Sequence, residues 1–168
     1  MNCEICGTMM DELELHNHIV LNCNSCKYYK TEENVKDPDK LREKYKGDFW
    51  NHGNLSDIIK TNFSNKIGRD YKLAQESMFA FCKRFIPSKG NILEIGVGTG
   101  THLLNFDKLG YQVTGVEPDP ISTKFLNEKL KNGTCINGYI EDLNFEDKFD
   151  VIFLYHVVEH IENPLSML

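Results

Sequence analysis

Between Asn91 and Gly100 the chain reads Asn-Ile-Leu-Glu-Ile-Gly-Val-Gly-Thr-Gly, and no other stretch restricts the fold so tightly. Ile92, Leu93 and Ile95 make a short buried strand, three glycines follow at alternate positions, and an amphipathic run opens at Thr101. Strand, glycine turn and helix in that order form a ligand cradle, because glycine lets a ligand approach the backbone and the helix start offers unpaired N–H groups. The rest of the chain keeps the same alternation. Tyr111 to Glu117 is a second strand, Asp119-Pro120 opens a helix with Phe125, Leu126 and Leu130 as its buried stripe, and Thr134 to Ile140 is a third strand. Phe149 to Tyr155 is a fourth, apolar enough to be covered on both faces. Upstream, Tyr71, Ala74, Met78, Phe81, Cys82 and Phe85 recur at helical spacing, which predicts a helix over 69–85 that Pro87 to Gly90 ends. Alternating strands and helices predict a parallel α/β sheet with right-handed crossovers.

The spacing of the glycines narrows the ligand. A dinucleotide fingerprint, Gly-x-Gly-x-x-Gly, puts its last glycine at position 101, which is Thr101. Glu117 stands about 20 residues beyond the first glycine, where the neighbouring strand ends at the same sheet edge and a carboxylate can accept from both ribose hydroxyls. Glu94 with Gly96, Gly98 and Gly100, then Glu117, then an acid after the third strand, resembles the motif order of the class I S-adenosylmethionine-dependent methyltransferases over 69–167. The resemblance implies a Rossmann-like α/β sheet in which the four strands found here lie in the order 3-2-1-4, with the carboxyl-terminal strands of the full 3-2-1-4-5-7-6 sheet missing. It implies S-adenosylmethionine as cofactor, held by Glu94 and the three glycines, by Glu117 on the ribose, and by Asp142 on the adenine amino group with Leu143 flanking the ring. Glu141 is the rival for the adenine role. The aromatics Tyr45, Phe49 and Trp50 are similar to lid residues of such enzymes, and plain packing on the core accounts for them equally well. Arg69 is within reach of a cofactor carboxylate by the same resemblance, against the commoner reading of a surface arginine.

Ahead of this domain, Cys3 and Cys6 form one Cys-x-x-Cys pair and Cys23 and Cys26 another, at a separation that fits a zinc site. Four thiolates close a tetrahedron and leave no position for water, so the expected Zn²⁺ is structural. It is also needed, since about 30 residues bury too little core to fold alone. His16 and His18 are read as strand residues, and Cys82 and Cys135 as core thiols. The paired cysteines look like the zinc-ribbon leader of certain methyltransferases that act on sugars and other small metabolites. The expected organisation is therefore a zinc-ribbon-like module at 1–30, a charged and aromatic connector and lid at 31–68, with Asp37-Pro38-Asp39 leading into a short helix over 40–46, and a partial S-adenosylmethionine-binding domain at 69–168.

After the fourth strand, His156, Glu159 and His160 are spaced to share one face of a helix starting at His156. Three readings compete: an inverted zinc-protease pattern, a relative of the divalent-cation site of some methyltransferases, and an ordinary helix start with His156 facing the pocket. The third is preferred, and His156 is the candidate general base, because an imidazole titrates near neutrality and can take the proton of a hydroxyl or amine acceptor.

A net charge of −6 argues against a nucleic-acid backbone as partner, and no run approaches the roughly 20 apolar residues of a membrane span. Six cysteines behind a start that is not a secretory signal point to a reducing, cytoplasmic setting. The function expected is methyl transfer to a small-molecule acceptor by in-line attack. The alternative is a truncated, inactive methyltransferase-like chain whose zinc ribbon docks a protein, with the fourth strand as an apolar edge for a partner or for self-association.

Overall fold

The computed structural model describes residues 1–16, 18–31, 64 and 66–161. The turn at Asp37-Pro38-Asp39, the helix over 40–46 and the lid aromatics Tyr45, Phe49 and Trp50 lie outside these residues. Two units are present, each with its own sheet.

The amino-terminal sheet has three antiparallel strands, β1 (Asp11–Leu15), β2 (His18–Asn22) and β3 (Tyr29–Thr31), in that spatial order. Among the described residues its core is Cys3, Met10, Leu21 and Cys23, with Tyr28 packed against them. The two Cys-x-x-Cys segments fold into the same knuckle. Cys3 N–H donates to Thr8 O and Gly7 N–H to Cys3 O, and in the second copy Cys23 N–H donates to Tyr28 O and Lys27 N–H to Cys23 O. The fifth residue of each knuckle needs a left-handed backbone, supplied by Gly7 at φ 74° and, without glycine's ease, by Lys27 at φ 63°.

The larger sheet contains β4 (Asn91–Ile95), β5 (Gln112–Glu117), β6 (Gly133–Asn137) and β7 (Val151–Leu154), all parallel, in the spatial order β6-β5-β4-β7. Numbered within this sheet that is 3-2-1-4, the expected order. Among the described residues three α-helices accompany it: α1 (Lys66–Cys82), which runs on as a 3-10 turn at Lys83–Phe85, α2 (Thr101–Lys108) and α3 (Pro120–Asn127). Ile92, Val113, Cys135 and Phe153 project from one sheet face into a core with Leu103, Phe106 and Leu126 from the helices. Gly115 lets α2 settle on the sheet, because a Cβ there would stand 2.8 Å from Leu103 and 2.9 Å from Val97.

Two strands are shorter than their apolar runs. β6 stops at Asn137, because Gly138 N–H turns to Glu117 O and Ile140 enters a 3-10 turn with Glu141 and Asp142. β7 begins only at Val151, after Asp150 has closed the sheet's end by donating its N–H to Asn91 O and accepting Asn91 N–H on its side chain. Nor is β7 covered on both faces, since Ile152 is 45% exposed. A larger correction follows it. No α-helix starts at His156, which instead takes a left-handed backbone at φ 56°, and only a 3-10 turn forms at Val158–His160. The helical spacing that would align His156, Glu159 and His160 is therefore lost.

One buried carboxylate ties the sheet's crossover together. Asp107, at the end of α2 and 4% exposed, accepts the backbone N–H groups of Lys131 and Asn132 just before β6. Asp107→Ala removes the shared acceptor of two donors whose residues are exposed, so water replaces part of it. At about 0.5–1.5 kcal/mol for each lost hydrogen bond, the expected loss is about 1–3 kcal/mol, measured as a fall in thermal midpoint of roughly 2–12 °C.

Candidate functional site

The three motif glycines all have positive φ, 69° at Gly96, 58° at Gly98 and 78° at Gly100. Their duties differ. A Cβ on Gly96 would lie 2.3 Å from Val157 Cγ2, and one on Gly100 would lie 1.9 Å from Leu126 Cδ2, so these two are fixed by close packing as well as by backbone conformation. Gly98 carries the polar contact. Its N–H donates to Glu117 Oε2 at 2.7 Å, while Asp119 N–H donates to Glu117 Oε1 at 2.9 Å. The turn itself is closed by Gly96 N–H to Val116 O and Gly100 N–H to Val97 O.

Glu117 is thus set at the carboxyl end of β5, 2% exposed, with each oxygen on a different backbone donor. Burial pushes its pKa up to about 7 despite those two donors, and the nearby Asp119 and Glu94 charges push the same way. Two further residues complete its support. Asp119 caps α3 by accepting Ser122 N–H, and Asn137 Nδ2 donates to the Glu117 and Pro118 carbonyls, fixing the strand end. The Asp-Pro pair before an apolar helix stripe marked that cap; Asn137 carried no such signal.

Glu94 occupies the same sheet face one strand away. It is 2% exposed, and its Oε1 lies 3.4 Å from Nδ1 of His102, which is also buried. Burial raises its pKa and His102 draws it back down. Tyr71 of α1 has its pKa raised chiefly by burial, against a lowering by Thr99 of the glycine turn. Its place in the helix stripe suggested only packing.

The remaining residues lie along the same edge of the sheet. Asp142 and Glu141 are exposed in the turn after β6, where Asp142 N–H donates to Tyr139 O, and Leu143 is half-buried beside them. His156 follows β7, exposed, with its ring edge-on to Tyr155 at 4.4 Å. Glycine turn, Glu117, the 140–142 turn and His156 therefore follow the carboxyl ends of β4, β5, β6 and β7, where open α/β sheets bind ligands. Arg69 is exposed at the start of α1 and its guanidinium donates to Ser64 O.

In the other unit the four cysteines converge. Cys3 and Cys26 sulfurs are 3.6 Å apart, Cys6 and Cys23 sulfurs 3.4 Å, and all four lie within 4.8 Å of one another. These are not disulfide distances, which are about 2.05 Å. Four sulfurs at about 2.3 Å from one zinc would be about 3.8 Å apart, close to the spacing found. Among the described residues this is the one group of three or more such ligands brought together, and neither His16 nor His18 belongs to it. No helix of the described residues is long and apolar enough to cross a membrane.

A family model described as a methyltransferase domain matches residues 93–168. An uncharacterized methyltransferase of Alkaliphilus oremlandii is 25% identical over 68% of this chain and 52% of its own length. The mitochondrial ubiquinone biosynthesis O-methyltransferase of Schizosaccharomyces pombe is 30% identical over 52% of this chain and 35% of its own length. The chain thus spans about half, or less, of these relatives. Among solved structures, magnesium protoporphyrin IX methyltransferase from Synechocystis PCC 6803 with bound SAM superposes with a TM-score of 0.57 at 16% identity, covering 82% of this chain and 71% of that one. Coclaurine N-methyltransferase, bound to N-methylheliamine and SAH, gives 0.52 at 20% identity, over 62% of this chain and 32% of that one. Strand order, glycine turn and these superpositions agree that the larger unit has the fold of class I S-adenosylmethionine-dependent methyltransferases, and its residues from 93 onward are similar in sequence to a methyltransferase domain.

Proposed function

We propose that the larger unit binds S-adenosylmethionine across the glycine turn and serves methyl transfer to a hydroxyl of a small-molecule acceptor, such as a sugar or a related biosynthetic intermediate. The observation that carries this reading is the Glu117 carboxylate, buried at the strand end and within one hydrogen bond of the Gly98 backbone. Such a group can exchange its backbone donors for two ribose hydroxyls. The buried, unpartnered Glu94 Oε2 fits the same ligand, since its aminocarboxyl end carries an ammonium. Gly96, Gly98 and Gly100 leave the backbone open along the turn, and Asp142 and Leu143 take the adenine end.

When bound, the cofactor supplies a methyl group on an already activated sulfonium. The protein's share is chiefly to hold the acceptor in line, which is worth up to about 7–11 kcal/mol, and to remove its proton, worth about 3–5. His156, exposed at the end of β7, is the base in this reading. Hydroxyl acceptors are supported by the names of three relatives at 30–31% identity, which are ubiquinone biosynthesis O-methyltransferases. Within the organisation proposed, 1–30 is a zinc-bound module, 31–68 a connector and 69–168 the cofactor-binding domain. Structural zinc on Cys3, Cys6, Cys23 and Cys26 holds the first of these. The four reduced cysteines suit the proposed cytoplasmic setting.

Calorimetric titration with S-adenosylhomocysteine tests the central claim: micromolar or tighter binding is expected, and tight NAD binding in its place would sink it. The pH dependence adds a signature. Glu117 accepts two hydroxyl protons only when ionised, and its ligand-free pKa is pushed up to about 7. Affinity should therefore weaken by up to about tenfold per pH unit below 7 and level off above pH 8. A flat profile from pH 5.5 to 8 would remove Glu117 from the site.

A further inference from the structure

The buried pair Glu94 and His102 is more than a packing feature of the core. His102 belongs to the first turn of α2, in the amphipathic run that the sequence reading treats as the helix after the glycines. Its ring is boxed by Phe153 at 4.9 Å, Tyr155 at 5.3 Å and Phe79 at 6.4 Å, so it cannot swing to another partner. That box leaves its Nδ1 at Glu94 Oε1. Two atoms of the pair, Glu94 Oε2 and His102 Nε2, are buried with no hydrogen-bond partner. An orphaned carboxylate oxygen costs free energy in a core unless something uses it. Glu94 stands two residues before Gly96 at the end of β4, and its charge helps raise the pKa of Glu117, which accepts the Gly98 N–H, so the pair lies beside the cradle. Two buried acids that repel each other favour a ligand carrying positive charge.

We propose that His102 is a positioning residue, which pins one oxygen of Glu94 and so keeps the other aimed at the ammonium of the methyl donor's aminocarboxyl end. This rests on the cofactor reading above. A lone buried carboxylate would turn toward any donor or take up a proton; the imidazole holds its rotamer and opposes the rise in pKa that burial causes. Specificity for the amino-acid end of the ligand then depends on a helix residue that itself makes no contact with it.

The test compares two ligands that differ only at that end. S-Adenosylhomocysteine carries the aminocarboxyl group and 5′-methylthioadenosine lacks it. His102→Phe keeps the ring within the aromatic box and removes the Nδ1 donor. In calorimetry on the full chain it should weaken S-adenosylhomocysteine at least tenfold and leave 5′-methylthioadenosine within about twofold. His102→Gln, which restores a donor, should recover part of the loss, and Glu94→Gln should show the same ligand selectivity. Equal weakening of both ligands by either His102 variant, or no weakening of either, overturns the proposal and leaves His102 a core residue. Should His102→Phe not fold, the selectivity of His102→Gln and Glu94→Gln decides alone. Failure of the unmodified chain to bind either ligand overturns the cofactor reading itself and this inference with it, an outcome distinct from unselective loss in the variants.

Discussion

Glu117→Gln is expected to weaken S-adenosylhomocysteine by about 100-fold or more and, in the ligand-free protein, to erase a pH dependence of stability. The first effect follows from the proposed contact. Two hydroxyl bonds to a charged acceptor are worth about 1.5–3 kcal/mol each, so losing the charge and one acceptor removes about 3 kcal/mol or more. The second follows from the pKa. Burial raises Glu117 from an ordinary 4.5 to about 7 in the folded state, so between those values the folded chain binds more protons than the unfolded one. The stabilisation from that proton is fully present below about pH 4.5 and is lost as pH rises through 7. Wild type should therefore lose stability relative to the variant from pH 5 to 8, by about 3 kcal/mol at most at 1.36 kcal/mol per unit. The glutamine's NH₂ must face one of the donors from Gly98 or Asp119, which adds a fixed offset. Slope, not offset, is the readout. Chemical denaturation of both proteins at several pH values supplies it, and parallel curves would mean that Glu117 is not held with a raised pKa.

On the proposed zinc site, removing the ion or one of the four cysteines should unfold the amino-terminal sheet. Among the described residues four side chains make up the buried apolar core of that unit, and two of them are the cysteines Cys3 and Cys23. Apparent binding energies of about 10–16 kcal/mol are typical of structural zinc at neutral pH and greatly exceed what so small a core provides. Cys23 is fully buried, and its N–H and carbonyl anchor the second knuckle. Cys23→Ser should take bound zinc from one equivalent to less than about 0.1 by elemental mass spectrometry. Amide protection in β1 and β2 should fall with it, and a strong chelator should do the same to wild type. Full protection in the zinc-free protein would show that the three strands stand on their own.

Some of this architecture is written into local pattern. The glycine spacing, the apolar runs and the Asp119-Pro120 helix start each depend on neighbours within a few residues, whereas the strand order 3-2-1-4 is implied by the resemblance to the methyltransferases and not by local spacing. The same locality explains the errors. The apolar run 149–155 has no internal signal that Asp150 will be spent joining Asn91, because that bond links positions 59 residues apart. Steps of three and four in His156, Glu159 and His160 match a helix. The chain instead turns at a left-handed His156, with Val157 lying where a Cβ on Gly96 would have to go. Periodicity reports what a helix would bury and says nothing of a backbone reversal forced by packing.

The sequence by itself determined which residue types were available to a ligand: three glycines, the acids Glu94 and Glu117, and four thiols in two pairs. Only the tertiary structure decided how they are used. It divided the glycines between packing, at Gly96 and Gly100, and polar contact, at Gly98. It drew sulfurs from the two ends of a hairpin to within 4.8 Å. It also set His102 against Glu94, a pairing that depends on the side-chain direction of a helix lying over a strand. Local spacing fixes chemistry along the chain, whereas burial and partner choice are properties of elements brought together from a distance.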